Sequence, residues 1–214
     1  MAKSKINYRF LAILAGTAFL CAVLVVLAVW WQKYAAPERN FATGERYLQS
    51  GDYRNAEKFF GRAVNKQQTN VKYLDKWEEA LLHVTPTTVD EARELYEKFI
   101  RARLQRGRAT PTESGPWMRA MQALYERNAA YRVDVLWREF GEQAQQIMER
   151  IAPEDPARNR LKFWEAIAVT RRGATVTEAE RKQAEQQLQE VVATDPGFDM
   201  AWLELAQSQI DGAD

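Results

Sequence analysis

Residues able to do chemistry are few in this chain. His83 is the only histidine and Cys21 the only cysteine among 214 residues. A histidine-based triad or a multi-histidine metal site therefore cannot be assembled, nor can a cysteine zinc site or an internal disulfide. No GxxxxGK[ST] run is present to cradle a phosphate, and no GxGxxG follows a strand pattern. The acidic pairs Glu78/Glu79 and Asp90/Glu91 could in principle move protons. Without a predicted pocket they read as solvated faces and helix N-terminal charges. His83 closes EALLHV as a helix-end histidine, and ARLQRGR, 102 to 108, reads as a solvated basic helix end. The expectation is a protein that is not an enzyme, with no catalytic residue, cofactor or metal.

Charge narrows the partners. All 29 acids lie from Glu38 onward, while Lys3, Lys5, Arg9 and Lys33 precede it, leaving 26 bases against those acids. A net charge of about −3 builds no one-sided positive field, so no nucleic-acid partner is expected.

The elements that must carry any site fall into two kinds. FLAILAGTAFLCAVLVVLAVWW, Phe10 to Trp31, holds no charge and no proline. At about 1.5 Å per residue such a run spans about 33 Å, so the sequence predicts a transmembrane helix over 10–31 in contact with the lipid bilayer. Tyr8, Trp30, Trp31 and Tyr34 would sit at the headgroup level. Lys3, Lys5 and Arg9 in the short tail 1–9 favour a cytoplasmic N-terminus for a single-pass membrane protein. A linker, 32–36, would then lead to a helical domain, 37–214, on the opposite side, periplasmic in a bacterium.

Beyond Pro37 the pattern is helical, with no convincing strand alternation. Small at i, large at i+4 and apolar at i+7 recurs at Ala56, Phe60, Ala63; at Ala92, Tyr96, Phe99; at Ala144, Met148, Ile151; and at Ala184, Leu188, Val191. Pro156 and Pro196 follow the last two sets and stop those helices. An alanine at such a position lets a neighbouring helix approach, and the large residue four later fills the groove beside it. Trp77, Trp117, Trp137, Trp164 and Trp202 fall at core-compatible positions. RGRATPTESGP, 106 to 116, reads as a loop.

These residues, with Gly44, Tyr47 and the turn Gly51-Asp52-Tyr53, resemble the tetratricopeptide repeat, a helix–turn–helix unit of about 34 residues. The resemblance implies an all-α fold: an α-solenoid of antiparallel helix pairs after the transmembrane helix. Its units would cover 37–70, 71–106, 117–156 and 161–198, with a partial unit at 199–214. Because QSQIDGAD follows with no second helix, the chain reads as a piece, or a truncated member, of a longer array. The resemblance also implies a function: a membrane-anchored scaffold whose first helices line a concave groove for a protein or peptide partner. Glu38, Glu45, Lys162 and Glu165 are the expected polar contacts of that groove. Two other readings remain open, an anchor or regulatory arm of a larger enzyme and a self-associating structural envelope component.

Overall fold

The computed structural model describes residues 8–30 and 36–211. Among these are ten α-helices and no strand. They are α1 (Tyr8–Trp30), α2 (Ala36–Gln49), α3 (Tyr53–Lys66), α4 (Val71–His83), α5 (Val89–Ala109), α6 (Ser114–Tyr131), α7 (Asp134–Met148), α8 (Ala157–Thr170), α9 (Glu178–Thr194) and α10 (Asp199–Asp211). The chain divides into two units, one ending at Val84 and the other beginning at Thr85.

The expected transmembrane segment requires correction. Among the described residues no helix is long and apolar enough to cross a membrane. The span over 10–31, its bilayer contact and the single-pass localisation with a cytoplasmic N-terminus are overturned by this finding. Lys3, Lys5, Lys33, Trp31 and Tyr34, with most of the 32–36 linker, lie outside the described residues.

In the first unit, α2 ends where Gly51 adopts φ 76°, a left-handed conformation that costs glycine no Cβ crowding. The N–H of Asp52 then donates to the Tyr47 carbonyl at 2.9 Å. The carboxylate of Asp52 caps α3 by accepting the N–H of Asn55 at 3.1 Å. Ala56, Phe60 and Ala63 are all fully buried. Burying a phenylalanine of this kind contributes about 1.5–3 kcal/mol. Phe41 of α2 meets both Phe60 and Tyr73, at ring separations of 5.3 and 4.6 Å. On the next crossing Gly61 of α3 leaves room for Trp77 of α4, whose indole N–H donates to the buried Glu57 at 3.3 Å.

In the second unit successive helices pack on each other from α5 to α10. The expected loop over 106–116 shrinks to residues 110–113, because α5 continues through Gly107. The reason is contact: a Cβ on Gly107 would lie 2.5 Å from the Trp117 ring of α6, so this glycine serves a close helix crossing rather than a turn. Asn128, fully buried in α6, donates through Nδ2 to the Leu136 carbonyl at 2.8 Å and ties α6 to α7. Phe140 of α7 meets Trp164 of α8 edge-on at 6.2 Å, and Phe163 of α8 meets Phe198 at 4.6 Å.

Two packing expectations also change. Ala92, Tyr96 and Phe99 are only partly buried, and α5 turns Ile100 and Ala102 inward instead. Trp202 is 49% exposed, whereas Trp77, Trp117, Trp137 and Trp164 are buried. The inward face of α10 is formed by Ala201, Glu204, Leu205 and Ser208, one helical step away from Trp202.

Candidate partner-binding surfaces

Glu38 and Glu45 belong to the first unit. Glu38 occupies the exposed first turn of α2, where the helix dipole favours a carboxylate. Burial, and then the Glu38 charge, push the Tyr73 hydroxyl above the ordinary tyrosine range. Glu45, one face of α2 further along, stands 3.9 Å from Lys72 Nζ of α4. Lys72 also lies over the Phe41 ring at 4.6 Å. An exposed pair at this separation contributes little stability, about 0–1 kcal/mol, so both side chains remain available to a partner.

Lys162 and Glu165 belong to the second unit and both turn toward α9. Lys162 Nζ pairs with Glu190 at 3.0 Å. Glu165 accepts the side-chain amide of Gln187 at 3.1 Å. The opposite side of α8 reaches α10 instead, through an ion pair between Arg171 and Glu204. Two residues expected on one lining of first helices thus meet α9, the second helix of their own expected unit.

Glu165 is half-buried because it lines a cleft of about 320 Å³ bounded by α7, α8 and α9. Its floor comes from small residues. A Cβ on Gly141 of α7 would stand 2.9 Å from the Ala168 methyl of α8, so the two helices nearly touch there. Burial pushes the Glu165 carboxyl above its usual range, against the opposing effects of the Gln187 hydrogen bond and the Lys162 charge. Arg172 and Glu180, 2.6 Å apart, also line the cleft. Glu180 is pulled down to about 2, first by the Thr177 backbone N–H, then by Arg172 and the Thr177 hydroxyl. That arrangement is a capping box at the start of α9.

A second cavity, of about 470 Å³, is lined by Tyr125, Ala129, Arg132, Trp137 and Arg171. Sequence reasoning did not single it out. The available signal was the break AAYRVD between two helices, which offers neither glycine nor asparagine where a helix end prefers one. His83 ends α4 and stacks on Tyr53 at 4.8 Å. Among the described residues no group of three or more His, Cys, Asp or Glu could hold a metal ion. What the clefts present is charge, amide and aromatic surface.

These features define an all-α protein of sequentially packed helices. No protein-family model matches the chain, and no curated protein matches it. Solved structures do show a likeness. A crystal structure of MamA protein shares 12% identity over 81% of this chain and 80% of that one, at a TM-score of 0.49. A MamA RS-1 ArsTM double mutant shares 12% identity over 84% and 86%, at 0.49. TTC0263, a thermophilic TPR protein of Thermus thermophilus, shares 13% identity over 94% and 96%, at 0.42. At these values the likeness carries no argument about function.

Proposed function

We propose that this chain is a tetratricopeptide-like scaffold that binds other proteins through polar side chains on its helix surfaces. The helix pairs would fall within 37–70, 117–156 and 161–198, with a partial unit over 199–214, while the stretch 71–106 is divided between the chain's two units after Val84. The observation that carries the reading is the α7–α8–α9 cleft, where Glu165 is held half-buried beside small-residue helix crossings. Such a groove, apolar below and charged at the rim, accepts a peptide or a partner helix. Glu165 is the proposed contact within this groove. Lys162 on α8, and Glu38 and Glu45 on α2 of the first unit, are proposed as contacts on their own helix surfaces.

A peptide array probed with the full chain tests this reading. The strongest peptides should lose at least tenfold in affinity to the Glu165→Gln, Lys162→Glu, Glu38→Lys and Glu45→Lys variants taken together. Melting should change little. Reversal of the exposed α3 residues Lys58 and Arg62 should leave capture intact. An array with no bound peptide, or capture lost through Lys58 and Arg62 alone, refutes the assignment.

A further inference from the structure

Arg132 ends α6 with φ 52° and ψ 45°. Among the described residues it is the one non-glycine residue at positive φ. Its N–H closes the helix by donating to the Asn128 carbonyl at 2.9 Å. Glycine holds this left-handed conformation freely, whereas a Cβ crowds the neighbouring carbonyl. An arginine kept at a position that favours glycine points to work done by its side chain.

That side chain lines the cavity of about 470 Å³ together with Arg171, which follows α8, Tyr125 and Ala129 of α6 and Trp137 of α7. The lining brings together two guanidinium groups and two aromatic rings, with no carboxylate. Among the described residues Arg132 forms no salt bridge. Arg171 is engaged by Glu204, yet its side chain remains 45% exposed while that of Glu204 is only 7% exposed. A guanidinium carries five donors, so one carboxylate does not saturate it.

We propose that this cavity docks an acidic segment of a partner protein. An Asp or Glu side chain of that segment takes the free fork of Arg132 and the open donors of Arg171, and a neighbouring apolar side chain rests on Tyr125. The inference rests on the protein-binding reading above and specifies the chemistry of one partner. Two guanidinium groups match the planar, bidentate geometry of carboxylates. A nucleic acid would require a longer basic track, and beyond residue 37 acids outnumber bases, 29 to 26.

The test uses the full chain at low salt, where attraction between exposed charges is least screened. Fluorescence anisotropy follows three labelled probes: a peptide alternating Glu and Leu, its Gln–Leu counterpart, and a single-stranded oligonucleotide of matching charge. The Glu–Leu peptide should bind at least tenfold more tightly than either other probe. Arg132→Gly should weaken it at least tenfold while melting at or above the parent, because glycine suits the backbone. Arg132→Lys, which keeps the charge and loses the fork, should fall between. Equal binding of the Glu and Gln peptides overturns the proposal, as does unchanged binding by Arg132→Gly or preference for the oligonucleotide. A lower melting temperature for Arg132→Gly removes the backbone argument and overturns it too. If array peptides bind through Lys162 and Glu165 while the Glu–Leu peptide does not, the protein-binding reading survives and this inference falls. If only the Glu–Leu peptide binds, through Arg132, this cavity stands and the four-residue assignment falls.

Discussion

Gly44 of α2 lies against the ring of Phe60 of α3, so closely that a Cβ on Gly44 would stand 2.7 Å from Phe60 Cε1. The small residue is on one helix and the large one on its partner, and each explains the other. Phe60 is fully buried, with Ala56 and Ala63 beside it on the same face. Gly44→Ala adds one methyl group to a site with no room for it. Overpacking of a well-packed core costs about 1–3 kcal/mol. The better helix propensity of alanine, about 1 kcal/mol, offsets only part of that. The variant should melt several degrees below the parent by circular dichroism. A melting temperature at or above the parent would show that α2 can back away from Phe60 without loss.

Much of this packing was legible because it is local in sequence. The alanine–large spacing identified Ala56, Phe60 and Ala63, and Ala184, Leu188 and Val191, all of which are buried. Gly51 was legible as a helix end because glycine alone takes φ 76° without strain. Gly107 misled, since a glycine placed for a Trp117 ring looks in sequence like a glycine placed for a turn. Trp202 misled for a related reason. Spacing fixes which residues share a helix face, but not which face has a neighbour.

The site was less legible than the core. Glu165 was legible only through the repeat resemblance, as a polar residue on an expected first helix, and its cleft depends on three helices meeting. Arg132 matters through a backbone angle, which composition does not encode. The apolar run at the N-terminus illustrates the converse error, since hydropathy read over 10–31 predicted a span that the described residues do not provide.

The α6–α7 junction rests on Asn128. It is fully buried, its Nδ2 donates to the Leu136 carbonyl at 2.8 Å, and its Oδ1 accepts from Arg127 Nε at 3.1 Å. Asn128→Ala removes both bonds and leaves the Leu136 carbonyl without that donor. Each hydrogen bond lost in this way costs about 0.5–1.5 kcal/mol net, and the buried space left by the amide adds to that. Chemical denaturation should show a lower midpoint with little change in slope. Asn128→Asp should fail to rescue, since a carboxylate cannot donate to the carbonyl. A midpoint equal to the parent for the alanine variant would mean that water replaces the amide without cost.

The capping box of α9 makes a prediction in pH. Glu180 accepts the Thr177 N–H at 2.9 Å and the Thr177 hydroxyl at 2.8 Å, and pairs with Arg172. These contacts lower its carboxyl from 4.5 to about 2. A carboxylate depressed by folding contributes stability that is fully present above its unfolded value. That contribution fades as pH falls through the folded value. Glu180→Gln keeps a side chain that can complete a capping box but removes the charge. Other acids titrate alike in parent and variant, so the difference between them isolates this group. The parent should therefore melt above Glu180→Gln by a constant margin at pH values well above 4.5, with the margin closing between 4.5 and about 2. The measurement is a series of thermal melts from pH 7 down to pH 2 on the full chain. A margin unchanged at the acid end would mean that the carboxylate charge contributes nothing to holding the start of α9.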